Sequence, residues 1–134
     1  MWLVRTMGRP ELGRAIASVL GQSWPNVEIV MVVANPEFFP RTEFAHPGIK
    51  IVKPGIPLLR PAAGNAGLEA ATGEWIGFLD EDDIHEPHHA KTLVEAALAS
   101  GALFAYGDLI VHEGDKPSYV RTGTRRLSRR ALTR

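Results

Sequence analysis

Asp80-Glu81-Asp82-Asp83 places consecutive carboxylates directly after the apolar run Ile76-Gly77-Phe78-Leu79. Neighbouring anions repel, and a solvated surface turn is the plain reading of such a run. A buried strand that delivers them to a ligand-binding rim favours another reading, in which a divalent cation relieves the repulsion. Oxygen-only donors suit Mg²⁺ or Mn²⁺ rather than a soft metal. Such an ion, held by one or two carboxylates, shares its other positions with phosphates and water, so a nucleotide diphosphate is its natural partner.

A second pattern overlaps the first. His85-Glu86-Pro87-His88-His89 matches H-E-x-x-H, which binds zinc when both histidines share one face of a continuous helix. Pro87 in the middle would remove a hydrogen bond and clash with the preceding turn, at a cost of about 3 kcal/mol. Pro87 reads better as the opening residue of a helix, with His85 outside it and His88 and His89 exposed in the first turn. Ala63-Gly64-Asn65-Ala66-Gly67 allows close backbone approach, and Asn65 there is placed to bond a phosphate, a ribose or a backbone group. Small helical residues serve packing more often. Neither G-x-G-x-x-G nor G-x-x-x-x-G-K-[ST] occurs, no Ser/His/Asp triad follows from spacing, and the absence of cysteine excludes thiolate chemistry.

The elements that position these residues alternate. Trp2 to Thr6 reads as a first strand, Pro10 as the start of a helix carrying Leu12, Ile16, Val19 and Leu20, and Gly21 as its stop. Val27 to Val33 is nearly continuous apolar sequence, which suits a strand buried on both faces of a parallel sheet. Pro36, Pro40 and Pro47 make 34–48 a loop. Ile49–Val52 is a brief strand, Ala62–Ala71 a helix, Glu74–Leu79 a strand, Pro87 to Leu98 a helix ended by Gly101, and Leu103–Val111 a last strand before the turn Glu113-Gly114-Asp115. The pattern predicts an α/β three-layer sandwich with a mainly parallel sheet. Ligands on such sheets lie beyond the carboxyl ends of the strands, which gathers Arg5 and Thr6, the 34–36 loop and the 80–83 acids into one neighbourhood.

At 134 residues the chain is the size of one domain. Its 45% hydrophobic and 22% charged content argues against disorder. Formal charge is zero but uneven: residues 74–86 hold six acids and no Lys or Arg, whereas 121–134 hold six arginines and no acid. That arginine-rich end lacks the aromatic residues of single-stranded nucleic-acid sites, so no nucleic-acid partner is expected. It reads first as an exposed tail, and second as a peripheral contact with an anionic membrane. With no apolar run near 18 residues and no basic-apolar leader, the expected location is the cytoplasm, with the inner membrane face as an extension of it.

Two blocks taken together resemble the family-2 glycosyltransferases of the GT-A fold. The first runs from Val4-Arg5-Thr6 through Glu11-Leu12 to Ala17-Ser18-Val19-Leu20-Gly21-Gln22-Ser23-Trp24-Pro25-Asn26-Val27-Glu28-Ile29-Val30. The second, from Asn65-Ala66-Gly67 to Gly73-Glu74-Trp75-Ile76-Gly77-Phe78-Leu79-Asp80-Glu81-Asp82-Asp83, resembles the family stretch that leads into its D-x-D motif, with Pro87 four residues beyond. The resemblance covers about residues 2–112. It implies a Rossmann-like GT-A sandwich and transfer of a sugar from a nucleotide-diphosphate donor to an acceptor, with Mg²⁺ or Mn²⁺ bridging the diphosphate.

By the same resemblance Asp82 contacts the metal, with Asp80 and Glu81 against ribose or metal-bound water and Asp83 orienting the loop; the metal ligands are thus Asp82 and Asp80. Arg5 and Thr6 line the base pocket. The family's usual Asp pair after the second strand is here Val33-Ala34-Asn35-Pro36, which leaves base recognition to Asn35 or to backbone groups. The chain is shorter than a family catalytic domain, and the general base is expected to lie outside it; Asp108 is a guess for that role. The expected organisation is a donor-binding portion over 1–112 followed by a turn and exposed tail over 113–134. The rival readings are a non-catalytic nucleotide-sugar-binding module and a structural α/β domain with a solvated acidic loop.

Overall fold

A computed structural model of the chain describes residues 1–40, 42–113 and 116–120. Strand β1 (Trp2–Thr6) and strand β2 (Ile29–Val33) are apolar, largely β-branched segments, and β2 is buried along its whole length. Strand β3 (Ile49–Val52) flanks β2, and strand β4 (Gly77–Asp80) flanks β1 on the other side. All pairings are parallel, in the order β3-β2-β1-β4. Side chains alternate across the sheet. Trp2, Val4, Ile29 and Met31 pack on one face with helix α1 (Leu12–Leu20), which contributes Leu12, Ala15, Ile16 and Val19, and with Ala90 of helix α3 (His89–Ser100). Leu3, Val30 and Val32 pack on the other face against Ala63 of helix α2 (Arg60–Glu69). These three layers match the predicted sandwich.

Helix α2 has only a small apolar stripe, Ala63 and Gly67. Gly67 lies so close to the sheet that a Cβ would stand 2.2 Å from Leu3 Cδ1. Small residues thus do serve packing here. A buried amide joins α1 to α3. Gln22 Nε2 donates to the carbonyls of Ser18 (3.0 Å) and Glu86 (2.7 Å), and its Oε1 accepts from the Ala90 N–H (2.8 Å). His88, the N-cap residue of α3, makes no capping bond of its own. Gln22, just past the end of α1, therefore caps α3 from a remote segment, a role invisible in local sequence. Replacing it by Leu is expected to cost about 2 kcal/mol, because it orphans buried backbone groups; urea denaturation measures this, and a loss within experimental error would refute the bridge.

Several boundaries differ from the sequence expectation. Helix α1 starts two residues beyond Pro10, and β4 starts at Gly77 rather than Glu74, because pairing with β1 begins at the Trp2–Gly77 register. Pro87 does not open α3. Its carbonyl accepts the Ser23 N–H at 2.8 Å, and the helix begins at His89. Leu103–Val111 is not a strand of the main sheet. Leu103 and Phe104 are exposed, regular structure starts only at strand β5 (Leu109–Glu113), and β5 pairs antiparallel with strand β6 (Lys116–Val120) as a separate ribbon. Gly114, Asp115 and the 121–134 tail lie outside the described residues. No helix among the described residues is long and apolar enough to cross a membrane.

Candidate functional site

Strand order fixes where a ligand belongs. From β1 the chain winds outward through α1 to β2 and then β3, whereas β4 lies on the opposite side of β1. The direction of winding therefore changes between β1 and β4, and the crevice beyond their carboxyl ends is the switch point where open α/β sheets bind ligands. Arg5 and Asp80 are register partners on those two strands. A cleft of about 1090 Å³ opens there, lined by Arg5, Arg60, Asp80, Asp82, Asp83 and Asp108 among others.

Asp80 and Asp82 are about half exposed. Asp82 Oδ2 accepts from Arg9 Nη1, and Asp80 Oδ2 lies 3.7 Å from Arg60 Nη1. Exposed pairs of this kind contribute little to stability, at most about 1 kcal/mol. The Asp83 carboxyl is held above the usual carboxylate range, first by partial burial and then by the charges of Asp82 and Asp80. The acids thus retain the mutual repulsion that a cation relieves, and their all-oxygen donors fit a hard divalent ion. Arg5 is half-buried; its Nη2 approaches Met7 Sδ at 3.1 Å, while its Nε is buried without a hydrogen-bond partner among the described residues. An unspent donor beside Asp80 suits an anionic group in the cleft.

Four expected ligand-contacting residues are committed elsewhere or stand apart. Thr6 is fully buried and its Oγ1 donates to Glu81 Oε2 at 2.7 Å. Glu81 turns inward, 4% exposed, with its carboxylate on backbone N–H groups of the β1–α1 loop. Asn35 uses its amide to hold loops, donating from Nδ2 to the Met7 carbonyl (3.2 Å) and accepting at Oδ1 from the Glu37 N–H (3.1 Å). Asn65 is exposed on α2, beside Gly64, which does line the cleft. Arg9, which pairs with Asp82 at the rim of the cleft, and Arg60, which lines the cleft, are cations that the sequence reading missed. The signal available was only their position, just after β1 and at the start of α2.

The histidines form a stack. His85 and His89 rings lie 4.1 Å apart at 11°, and His85 sits 4.2 Å from Trp2. Parallel stacked rings direct their in-plane lone pairs side by side, not toward one shared ion. His89 is accordingly half-buried rather than an exposed first-turn residue, while His88 is exposed and bonds Ser23 Oγ at 2.8 Å. Burial, and secondarily His89, lowers the His85 pKa from 6.5 to about 4. An unfolded chain takes up this proton as pH falls through 6.5, and the folded chain resists until about 4. The His85 contribution to stability is therefore complete above the unfolded value and is lost across that window as pH falls. The raised Asp83 acts in the opposite sense, so a variant is needed to isolate His85. His85→Phe is expected to flatten the decline of the melting midpoint between about pH 6.5 and 4. An unchanged slope would assign the acid sensitivity to other groups.

The chain matches the glycosyl transferase family 2 over residues 5–134. It is 32% identical over 118 residues to an uncharacterized glycosyltransferase of Nostoc sp., covering 84% of this chain and 37% of that protein. It is 36% identical over 101 residues to the succinoglycan biosynthesis protein ExoO of Rhizobium meliloti, covering 73% of this chain and 29% of that protein. The chain thus spans about a third of the length of these curated relatives. A switch-point cleft with carboxylates at the end of β4, in a sheet of this order, and a family match over nearly the whole chain lead to one conclusion: the chain belongs to glycosyl transferase family 2.

Proposed function

We propose that residues 1–112 are the donor-binding portion of a glycosyltransferase that moves a sugar from a nucleoside-diphosphate donor to an acceptor, with Mg²⁺ or Mn²⁺ held by Asp82 and Asp80. The observation that carries this reading is the placement of Asp80 and Asp82 at the β1–β4 switch point, beside the unspent Arg5 Nε. The bound ion would supply Lewis-acid neutralisation of the charge that develops on the departing diphosphate. Arg5 and Arg60 hold the diphosphate from the strand side and the α2 side. Asp83 keeps the acidic loop in place, and Met7 and Arg9, exposed beyond the carboxyl end of β1, face the nucleoside. The name of one relative, a succinoglycan biosynthesis protein, supports a saccharide as the product class.

Titration calorimetry with a panel of nucleoside diphosphates, with and without Mn²⁺, tests the reading. At least one nucleotide is expected to bind, and to lose about tenfold or more of its affinity without metal, equivalent to roughly 1.4 kcal/mol. Binding of none, or binding indifferent to metal, would overturn it.

A further inference from the structure

Glu81 stands between two half-exposed aspartates, yet it is 4% exposed and points away from the cleft they line. Its Oε2 accepts from Thr6 Oγ1 (2.7 Å) and the Arg9 N–H (3.0 Å), and the Met7 N–H is shared between its two oxygens at 3.0 and 3.1 Å. Thr6 Oγ1 in turn accepts the Gly8 N–H at 2.9 Å. The N–H groups of Met7, Gly8 and Arg9 therefore all end on one carboxylate, directly or through one hydroxyl. Gly8 adopts φ +89°, so the segment turns sharply here, and a Cβ would meet the Phe38 ring at 2.5 Å. From the far side Asn35 ties down the Met7 carbonyl. Hydrogen bonds from N–H groups to a carboxylate are stronger than neutral ones, and without them these donors would be left unsatisfied.

We infer that Glu81 is a positioning residue that sets residues 7–9 as a nucleoside-facing wall at the rim of the cleft, where Arg9 meets Asp82, so that the acidic loop which takes the diphosphate also fixes how the base is read. The anchoring carboxylate lies one residue from each proposed metal ligand. The segment it anchors, Met7 to Arg9, emerges at the carboxyl end of β1, with Met7 and Arg9 exposed at that end. Displacing the acidic loop must displace this wall with it. The inference rests on the donor-site reading above, and it adds to that reading a specificity determinant that touches no ligand.

The test compares inorganic pyrophosphate with the best-bound nucleoside diphosphate, both with Mn²⁺, in wild type and Glu81→Gln. Pyrophosphate reports the metal and the diphosphate half, and the nucleotide's extra affinity reports the wall. Glu81→Gln is expected to keep pyrophosphate affinity within about twofold and to lose about tenfold of the nucleotide's advantage, since the amide replaces an acceptor oxygen by a donor. Hydrogen exchange at the Met7 and Arg9 amides of the free protein should accelerate about tenfold or more, with the β2 amides unchanged. Equal loss for both ligands, or an undiminished nucleotide advantage, would overturn the inference. Should Glu81→Gln fail to fold, Thr6→Val removes the hydroxyl alone and is expected to lose about threefold or more of the advantage; no loss there would overturn the inference equally. A wild type that binds neither ligand refutes the donor-site reading and this inference with it, whereas wild-type binding with no effect of either variant refutes the inference alone.

Discussion

Asp82→Ala is expected to abolish the metal-dependent share of nucleoside-diphosphate binding, about a hundredfold or roughly 2.7 kcal/mol, and to leave the fold intact. The two halves of this result have separate physical origins. Asp82 is half exposed and its partner is the exposed Arg9, so removing it takes away a surface pair of little worth and no packing. An ion that relies on one or two protein carboxylates, by contrast, loses a large part of its protein coordination with one of them. Stripping the metal with a chelator should reproduce the loss in wild type and add nothing in the variant. Equal Mn²⁺-dependent affinity in the two proteins would remove Asp82 from the metal site. Thermal melts alongside the titrations separate lost binding from lost structure.

Trp2→Ala carries the largest expected effect on stability, about 3–5 kcal/mol in urea denaturation. Trp2 is 8% exposed and joins the core cluster shared by the sheet and α1. It fills the space that Gly77 leaves open on β4, where a Cβ would stand 2.2 Å from the ring, and it supports the His85–His89 stack. Domains of this size hold only about 5–15 kcal/mol in total, so the loss removes much of the margin. Gly77→Ala should fail by the opposite route, overfilling the same space at about 1–3 kcal/mol. A Trp2→Ala loss below about 1 kcal/mol would show that the site collapses freely and that Trp2 does not organise this face.

What the sequence disclosed is what short-range pattern encodes. Trp2–Thr6 and Ile49–Val52 coincide with β1 and β3, and the apolar run before Val33 marks β2 as buried on both faces. The rule that ligands sit beyond strand ends points to Asp80 and Asp82, and both line the cleft. The orientation of single side chains followed a different logic. Glu81 reads like its acidic neighbours, but its partners lie more than seventy residues away. Thr6 and Asn35 look available until each is seen spent on a loop. Gln22 carries no mark of the helix it caps. Leu103 to Val111 has the composition of a strand, yet among the described residues regular structure begins only at Leu109. Hydrogen-bond partners remote in the chain decide such cases, and local periodicity does not contain them.

The order of the strands also sets a timetable. β1 is central in the sheet and first in the chain, and its partner β4 brings Glu81 to Thr6 across 75 residues. At roughly 5–20 residues per second, the ribosome needs about 4–15 s to deliver that length. Once β2 has been made, β1 has it on one side but keeps one bare edge until β4 arrives, with Leu3 and Val4 unpaired there. Such an edge invites pairing with other chains, and a nascent polypeptide is most exposed to mispairing at this stage. The cleft is consequently among the last features of the sheet to come into being. Ligand capture by a nascent chain would thus time the arrival of β4.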